Sequence, residues 1–313
     1  MSSLTALLPI RGIYLQMTLL ELFMNGLYTG VFIATIYSFV FRKGAERISL
    51  PICMAFVAMY TFSTVHAASR WVMIKNAFID NGDTPESTLA YLLENPVWLV
   101  IIPGIAFPAN TLVADCVLIW RCWTVWNQNL KVIIIPTLCT IVGAAFGFLS
   151  VAKEVQFILH PNLDRNAFRT FATVWFIMSL ATTLVATLFI VFRILTMTEG
   201  RLRGYGRVIE IVVESAALYC VVLIIFLPFL IRGSTEDGYP EAILVQVTGL
   251  APTLIIARVS FGLARPDTTW KGYSGLSILS RSYIPSGARI ELSSHILPSA
   301  LVLESQEFKN VVV

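Results

Sequence analysis

The chain alternates long apolar runs with short polar stretches, and the runs number seven: about Met17 to Phe41, Leu50 to Met73, Val97 to Trp126, Val132 to Val151, Phe171 to Leu195, Val208 to Ile231 and Ala242 to Leu263. A helix rises about 1.5 Å per residue, so about 20 apolar residues cross the roughly 30 Å hydrocarbon core of a bilayer. The pattern therefore predicts an all-α fold, a polytopic bundle of seven transmembrane helices. Arg11 stands directly before the first run and no small-residue cleavage site follows a short apolar core, so this run is expected to be retained as a span. After Leu263 the pattern stops. Residues 264–313 are rich in serine, among them Ser274, Ser277, Ser280 and Ser282, and carry Arg281 and Arg289. They are expected to form a disordered cytoplasmic tail, either simply solvated or regulated by basic-directed phosphorylation.

Composition sharpens this picture. Hydrophobic residues make up 57% of the 313 positions and charged ones 13%, about half the share in a soluble domain. Mean hydropathy is +0.77. A formal net charge of +3 is too small to point to nucleic acid. The bilayer is thus the first partner. Lysine and arginine set the orientation. Nine (Arg42, Lys43, Arg47, Arg121, Lys131, Arg193, Arg201, Arg203, Arg207) follow or flank the ends of spans one, three and five. Five (Lys75, Lys153, Arg165, Arg169, Arg232) belong to the loops after spans two, four and six, which also hold many acids. The N-terminus is expected outside and the C-terminus in the cytoplasm. Trp71, Trp98 and Trp175 would then mark the outer belt, and Trp120, Trp123 and Trp126 the inner one.

Charged groups inside spans are costly and become the candidates for function. Near the outer side, Glu21 of span one and Arg70 of span two lie at matching depth, with His66 one turn below Arg70 on the same face. Glu21, Asn25, His66 and Arg70 form a candidate ligand-binding set; the plainer reading is an interfacial ion pair beside a hydrogen-bonded histidine. On the inner side, Asp115 and Arg121 of span three face Glu210 and Glu214 of span six and Arg258 of span seven. Pairs from Asp115 to Arg258 and from Arg121 to Glu210 would bolt these spans together, as a two-state switch or as static staples. Prolines 103, 108, 136, 228 and 252 fall within spans and offer kinks. Gly26 with Gly30, and Gly143 with Gly147, have the spacing for close helix packing.

Missing features narrow the function further. The five cysteines lie in apolar runs, which suits buried packing, with palmitoylation of Cys122 as the alternative. Only His66 of three histidines lies in a span, no lysine lies deep in one, and neither a GxSxG elbow nor a phosphate loop occurs. No enzyme activity, metal or cofactor is expected.

The segment Leu118-Ile119-Trp120-Arg121-Cys122-Trp123, followed by Val125-Trp126 and then by Lys131-Val132-Ile133 and Pro136, resembles a large group of seven-transmembrane-helix proteins from mushroom-forming (basidiomycete) fungi. That group looks like G-protein-coupled receptors in topology. The resemblance implies an architecture more than a ligand. Against a rhodopsin-like receptor, Arg121 is only a loose counterpart of the Asp-Arg-Tyr arginine, and Ala251-Pro252-Thr253-Leu254 stands where Asn-Pro-x-x-Tyr would end span seven. The expected function is a receptor-like sensor of a small ligand at the plasma membrane, reporting to a cytoplasmic partner. The alternative is a proton- or cation-coupled transporter or lipid-handling protein of the same topology.

Overall fold

The computed structural model describes residues 9–41, 50–94, 96–160, 166–197 and 202–260. Arg42, Lys43, Arg47, Arg165, Arg201 and the serine-rich tail lie outside the described residues. Eight α-helices occur among them: α1 (Pro9–Phe41), α2 (Leu50–Lys75), α3 (Pro85–Leu93), α4 (Trp98–Val125), α5 (Leu130–Leu159), α6 (Asn166–Met197), α7 (Leu202–Arg232) and α8 (Gly238–Ser260). All but the short α3 are long and apolar enough to cross a membrane, which gives the seven expected spans. The bundle end at which α1 begins is called the first end below, and the other the second end.

The outward faces are lipid-like. Leu19, Phe23 and Leu27 make one exposed stripe along α1, and Ile134, Leu138 and Ile141 another along α5. Exposed apolar surface on this scale would be untenable in water. The helices form a ring in the order α1, α2, α4, α5, α6, α7, α8, closed by α8 packing on α1, while α4 leans inward to touch both α6 and α8. Burial follows this placement: 72% of the best apolar window of α8 is buried inside the bundle, against 17% for α1. The last span is the inner pillar and the first is the most lipid-facing.

Lipid offers no hydrophobic drive for helix association, so close packing and polar contacts decide which faces meet. Gly143 and Gly147 seat α5 on α6, where a Cβ at 147 would lie 3.1 Å from the Trp175 ring. Gly249 of α8 does the same for Tyr28 of α1, whose hydroxyl would be 2.8 Å from an added Cβ. Gly26 and Gly30 share the spacing of the first pair yet have nothing within 4 Å, so they are not a packing seam among the described residues.

The connections show local chemistry. Thr84 caps α3 by accepting from the Ser87 amide at 3.1 Å while Ser87 Oγ accepts from the Thr84 amide, with Pro85 opening the helix. Asn127 and Gln128 adopt φ of 51° and 63° in the tight turn from α4 to α5, and the Asn129 side chain then caps α5. All five span prolines sit inside continuous helices. Two expectations change here. Trp175 is not in an interfacial belt but 5% exposed inside the aromatic core, because α6 turns it toward α4 and α5; Trp71 and Trp98 remain half exposed. Cys122 is fully covered by the neighbouring α6 and α7 side chains, so its thiol is not presented for palmitoylation.

Replacing Gly249 by Leu should lower the thermal midpoint of the detergent-solubilised protein, with a cost of about 1–3 kcal/mol as the Tyr28 ring is forced aside. Gly26→Leu should stay within about 0.5 kcal/mol of the parent. Equal midpoints for the two variants would refute the α1–α8 close approach.

Candidate functional site

At the first end, all seven spans and α3 bound a cavity of about 350 Å³. That volume lies within the range of small-molecule sites. Its floor is aromatic. Phe107 of α4 meets Trp175 edge-on at 5.1 Å between centroids, Trp175 stacks on Phe176 at 4.1 Å, and Phe226 of α7 closes on Phe176 at 5.0 Å. Gly104 of α4 lets Val151 of α5 pack closely, since an added Cβ would lie 3.1 Å from it, and both residues line the cavity. Leu92 and Leu93 of α3 lie along the rim, which gives the loop after α2 a part in the site.

One wall is charged. His66 Nδ1 lies 2.5 Å from Glu21 Oε1, and both side chains are only 3% exposed. Arg70 donates to Glu241 at 2.9 Å, at the shallower level where α8 begins. Glu21 and Arg70, expected as a pair, therefore take different partners. The long guanidinium side chain extends from α2 toward the bundle end, whereas His66, a turn deeper, stands level with Glu21. Arg70 and His66 both line the cavity; Glu21 and Asn25 are behind its wall. Glu154 and Asp237 add two further carboxylates to the lining.

Behind the wall runs a polar network that ties four spans together. Gln246 of α8 is fully buried. It donates to Glu21 Oε1 at 3.4 Å and to the Ser63 carbonyl at 3.3 Å, and it accepts from Asn25 at 3.1 Å. Asn110 of α4 donates to Ser63 Oγ at 3.1 Å and to the Val245 carbonyl at 3.3 Å. Buried polar groups of this kind need partners, and here each residue supplies the next, with only the Asn110 Oδ1 left without a donor among the described residues.

A second polar group lies deeper. Asp115, 6% exposed, accepts from Ser179 at 3.3 Å, and the Ser179 and Tyr219 hydroxyls are 2.8 Å apart. Asp115 also lines a smaller cavity of about 50 Å³, together with Arg121, Ser215 and Thr248. That space admits a few water-sized molecules. The expected Asp115–Arg258 and Arg121–Glu210 pairs do not form. Arg258 lies two turns beyond Ala251 and Pro252, the α8 residues level with Asp115, and instead pairs with Glu214 of α7. Glu210 is exposed on the same α7 face as Glu214, away from the enclosed Arg121. Among the described residues Arg121 has no hydrogen bond or ion pair, and no group of three or more metal-ligating side chains occurs.

Four important residues escaped the sequence reading. Gln246 and Asn110 are uncharged and carry no motif. Glu241 stands just before the seventh apolar run, which begins at Ala242, although α8 begins at Gly238. Trp175 was assigned to the interface by residue type alone. The chain matches no protein-family profile, no curated protein and no solved structure.

The buried Glu21–His66 contact and the exposed Glu214–Arg258 pair should differ in weight. Truncating His66 to Ala leaves the buried Glu21 carboxylate without its ring partner, at a cost of about 3–5 kcal/mol, and a double-mutant cycle should show strong coupling. The Glu214–Arg258 cycle, on an exposed face, should show coupling near the detection limit. Urea or thermal unfolding in micelles measures both; the reverse order would contradict the site as described.

Proposed function

We propose that this chain is a receptor-like sensor of a small molecule in the plasma membrane, without enzymatic activity, inserted with its N-terminus outside and its C-terminus in the cytoplasm. One observation carries the reading: the 350 Å³ cavity at the first end is walled by all seven spans, so an occupant touches every helix of the bundle at once. Such a ligand has differential contacts with any two arrangements of the helices, which is the requirement for shifting their populations. The response would leave by the second end, where the α4–α5 turn and the Glu214–Arg258 pair lie, toward a cytoplasmic partner. Membership of the fungal seven-helix group belongs to the same proposal and rests on the Leu118 to Trp126 motif.

A second reading, an ion-coupled transporter, is favoured by Asp115. This carboxylate is buried in a span, faces the smaller cavity and has no cationic partner among the described residues. Intramembrane acids in that setting are suited to carry protons or cations.

Both readings meet one set of experiments. A compound bound in the large cavity should raise the thermal midpoint of the purified protein, by the equivalent of about 2.7 kcal/mol at a hundred times its dissociation constant. Ala172→Trp, which fills the cavity, should abolish that shift. In proteoliposomes a sensor moves none of the bound compound, whereas flux that disappears in Asp115→Asn would establish the transporter instead. Tags on both termini should label on opposite sides of intact cells, the N-terminal one from outside; labelling on one side overturns the proposed insertion.

A further inference from the structure

The large cavity contains a polar atom that the protein itself does not use. His66 is 3% exposed and lines the cavity, with its Nδ1 engaged by Glu21 at 2.5 Å. That contact holds the proton on the Nδ1 side and fixes the plane of the ring, since Glu21 is itself held by Gln246 at 3.4 Å. The other ring nitrogen, Nε2, has no partner among the described residues. In the neutral ring it is an acceptor at the cavity wall.

The surroundings of that nitrogen select what can meet it. Phe107 stands edge-on to the His66 ring at 6.0 Å, and Trp175 continues the aromatic floor from there. A flat or apolar body placed on this floor brings a substituent up to Nε2. The other polar lining is mostly acceptor: Glu154, Asp237 and Glu241 present carboxylates, and Arg70, the one guanidinium, is already bonded to Glu241. Because Arg70 is committed to Glu241, an anionic head finds no free guanidinium in the lining. A head that donates a hydrogen bond meets its acceptor at Nε2.

We propose that His66 Nε2 is the head-group recognition atom of the cavity, and that the ligand is a small aromatic or apolar molecule carrying a hydrogen-bond-donating head, a hydroxyl or an ammonium group. Glu21 and Gln246 are positioning residues, since they hold the imidazole without reaching the cavity. This assignment rests on the sensor reading above, because it names the ligand class of the same cavity.

Four probes with one body test it: 2-phenylethanol, 2-phenylethylamine, 3-phenylpropionate and ethylbenzene, each titrated against the full chain in detergent with thermal stability as the readout. The alcohol or the amine should bind roughly tenfold more tightly than ethylbenzene, about the worth of one good hydrogen bond, with the propionate weakest. Which of the two leads separates a hydroxyl from an ammonium ligand. His66→Phe should bring both within about twofold of ethylbenzene while ethylbenzene itself is unaffected. If that variant fails to fold because Glu21 is stranded, the Glu21→Leu/His66→Phe pair removes both polar groups together and should give the same levelling. Tightest binding by the propionate, or head-group preference unchanged in the variants, overturns the role of His66 while leaving a ligand-binding cavity in place. Absence of binding by all four removes the sensor reading and this inference together.

Discussion

The contact between Glu21 and His66 fixes the architecture more than any apolar surface does. In a bilayer the faces of seven leucine- and isoleucine-rich helices are nearly equivalent to one another and to lipid, so greasy contact alone does not choose a register. A carboxylate placed in a span does choose, because every arrangement that leaves it unpaired costs several kcal/mol. Glu21 finds His66 on α2 and Gln246 on α8, and those two contacts determine which sides of α1, α2 and α8 face inward. The remaining α1–α8 contacts then follow in register: Asn25 on Gln246, Tyr28 on Thr253 at 3.2 Å, and Tyr28 against the bare backbone of Gly249. The most lipid-exposed helix is thereby attached to the most buried one, and the ring closes.

Closure of the ring is what makes the large cavity possible. A void in a bundle collapses unless something resists, and here two things do. The floor is a rigid set of rings, from Phe107 through Trp175 and Phe176 to Phe226, that fill width without reaching upward. The wall carries Arg70 and Glu241, which would have to be buried more deeply if the helix ends drew together. The cavity is thus set by the same polar residues that fix the helix register.

How much of this was legible follows from what a sequence encodes about depth and direction. The seven spans were visible because lipid demands unbroken apolar length, and α3 was not, since nine residues make no such run; its cue was the Thr84 to Ser87 cap with Pro85. The residues of the charged wall were also visible, as charges in apolar runs. Their partners were not. Position along a run gives depth through the bilayer, but which neighbour a side chain faces depends on helix rotation and tilt. Glu21 and Arg70 match in depth to about a turn, yet one turn is enough to give His66 to the first and Glu241 to the second. The same error, enlarged, separated Asp115 from Arg258. Gln246 and Asn110 gave no signal at all, because a neutral amide in a span has no depth cost large enough to mark it from composition.

Helix α4 connects the two ends of the molecule. Within eight residues it presents Phe107 to the cavity floor, Asn110 to α2 and α8, and Asp115 to α6, and Arg121 then reaches the smaller cavity. These positions lie on one continuous helix that also holds Pro103 and Pro108, both lining the cavity. A shift of Phe107 therefore moves Asn110 and Asp115 by a comparable amount, and hydrogen bonds lengthen beyond use within a few tenths of an ångström. The Asn110 amide has slack of its own, since its Oδ1 accepts nothing among the described residues while its Nδ2 serves two partners. An amide with one idle group can exchange partners without leaving a larger deficit than it began with. Asn110 ties the helix that carries the aromatic floor to α2 and α8, while Asp115, further along the same helix, ties it to α6.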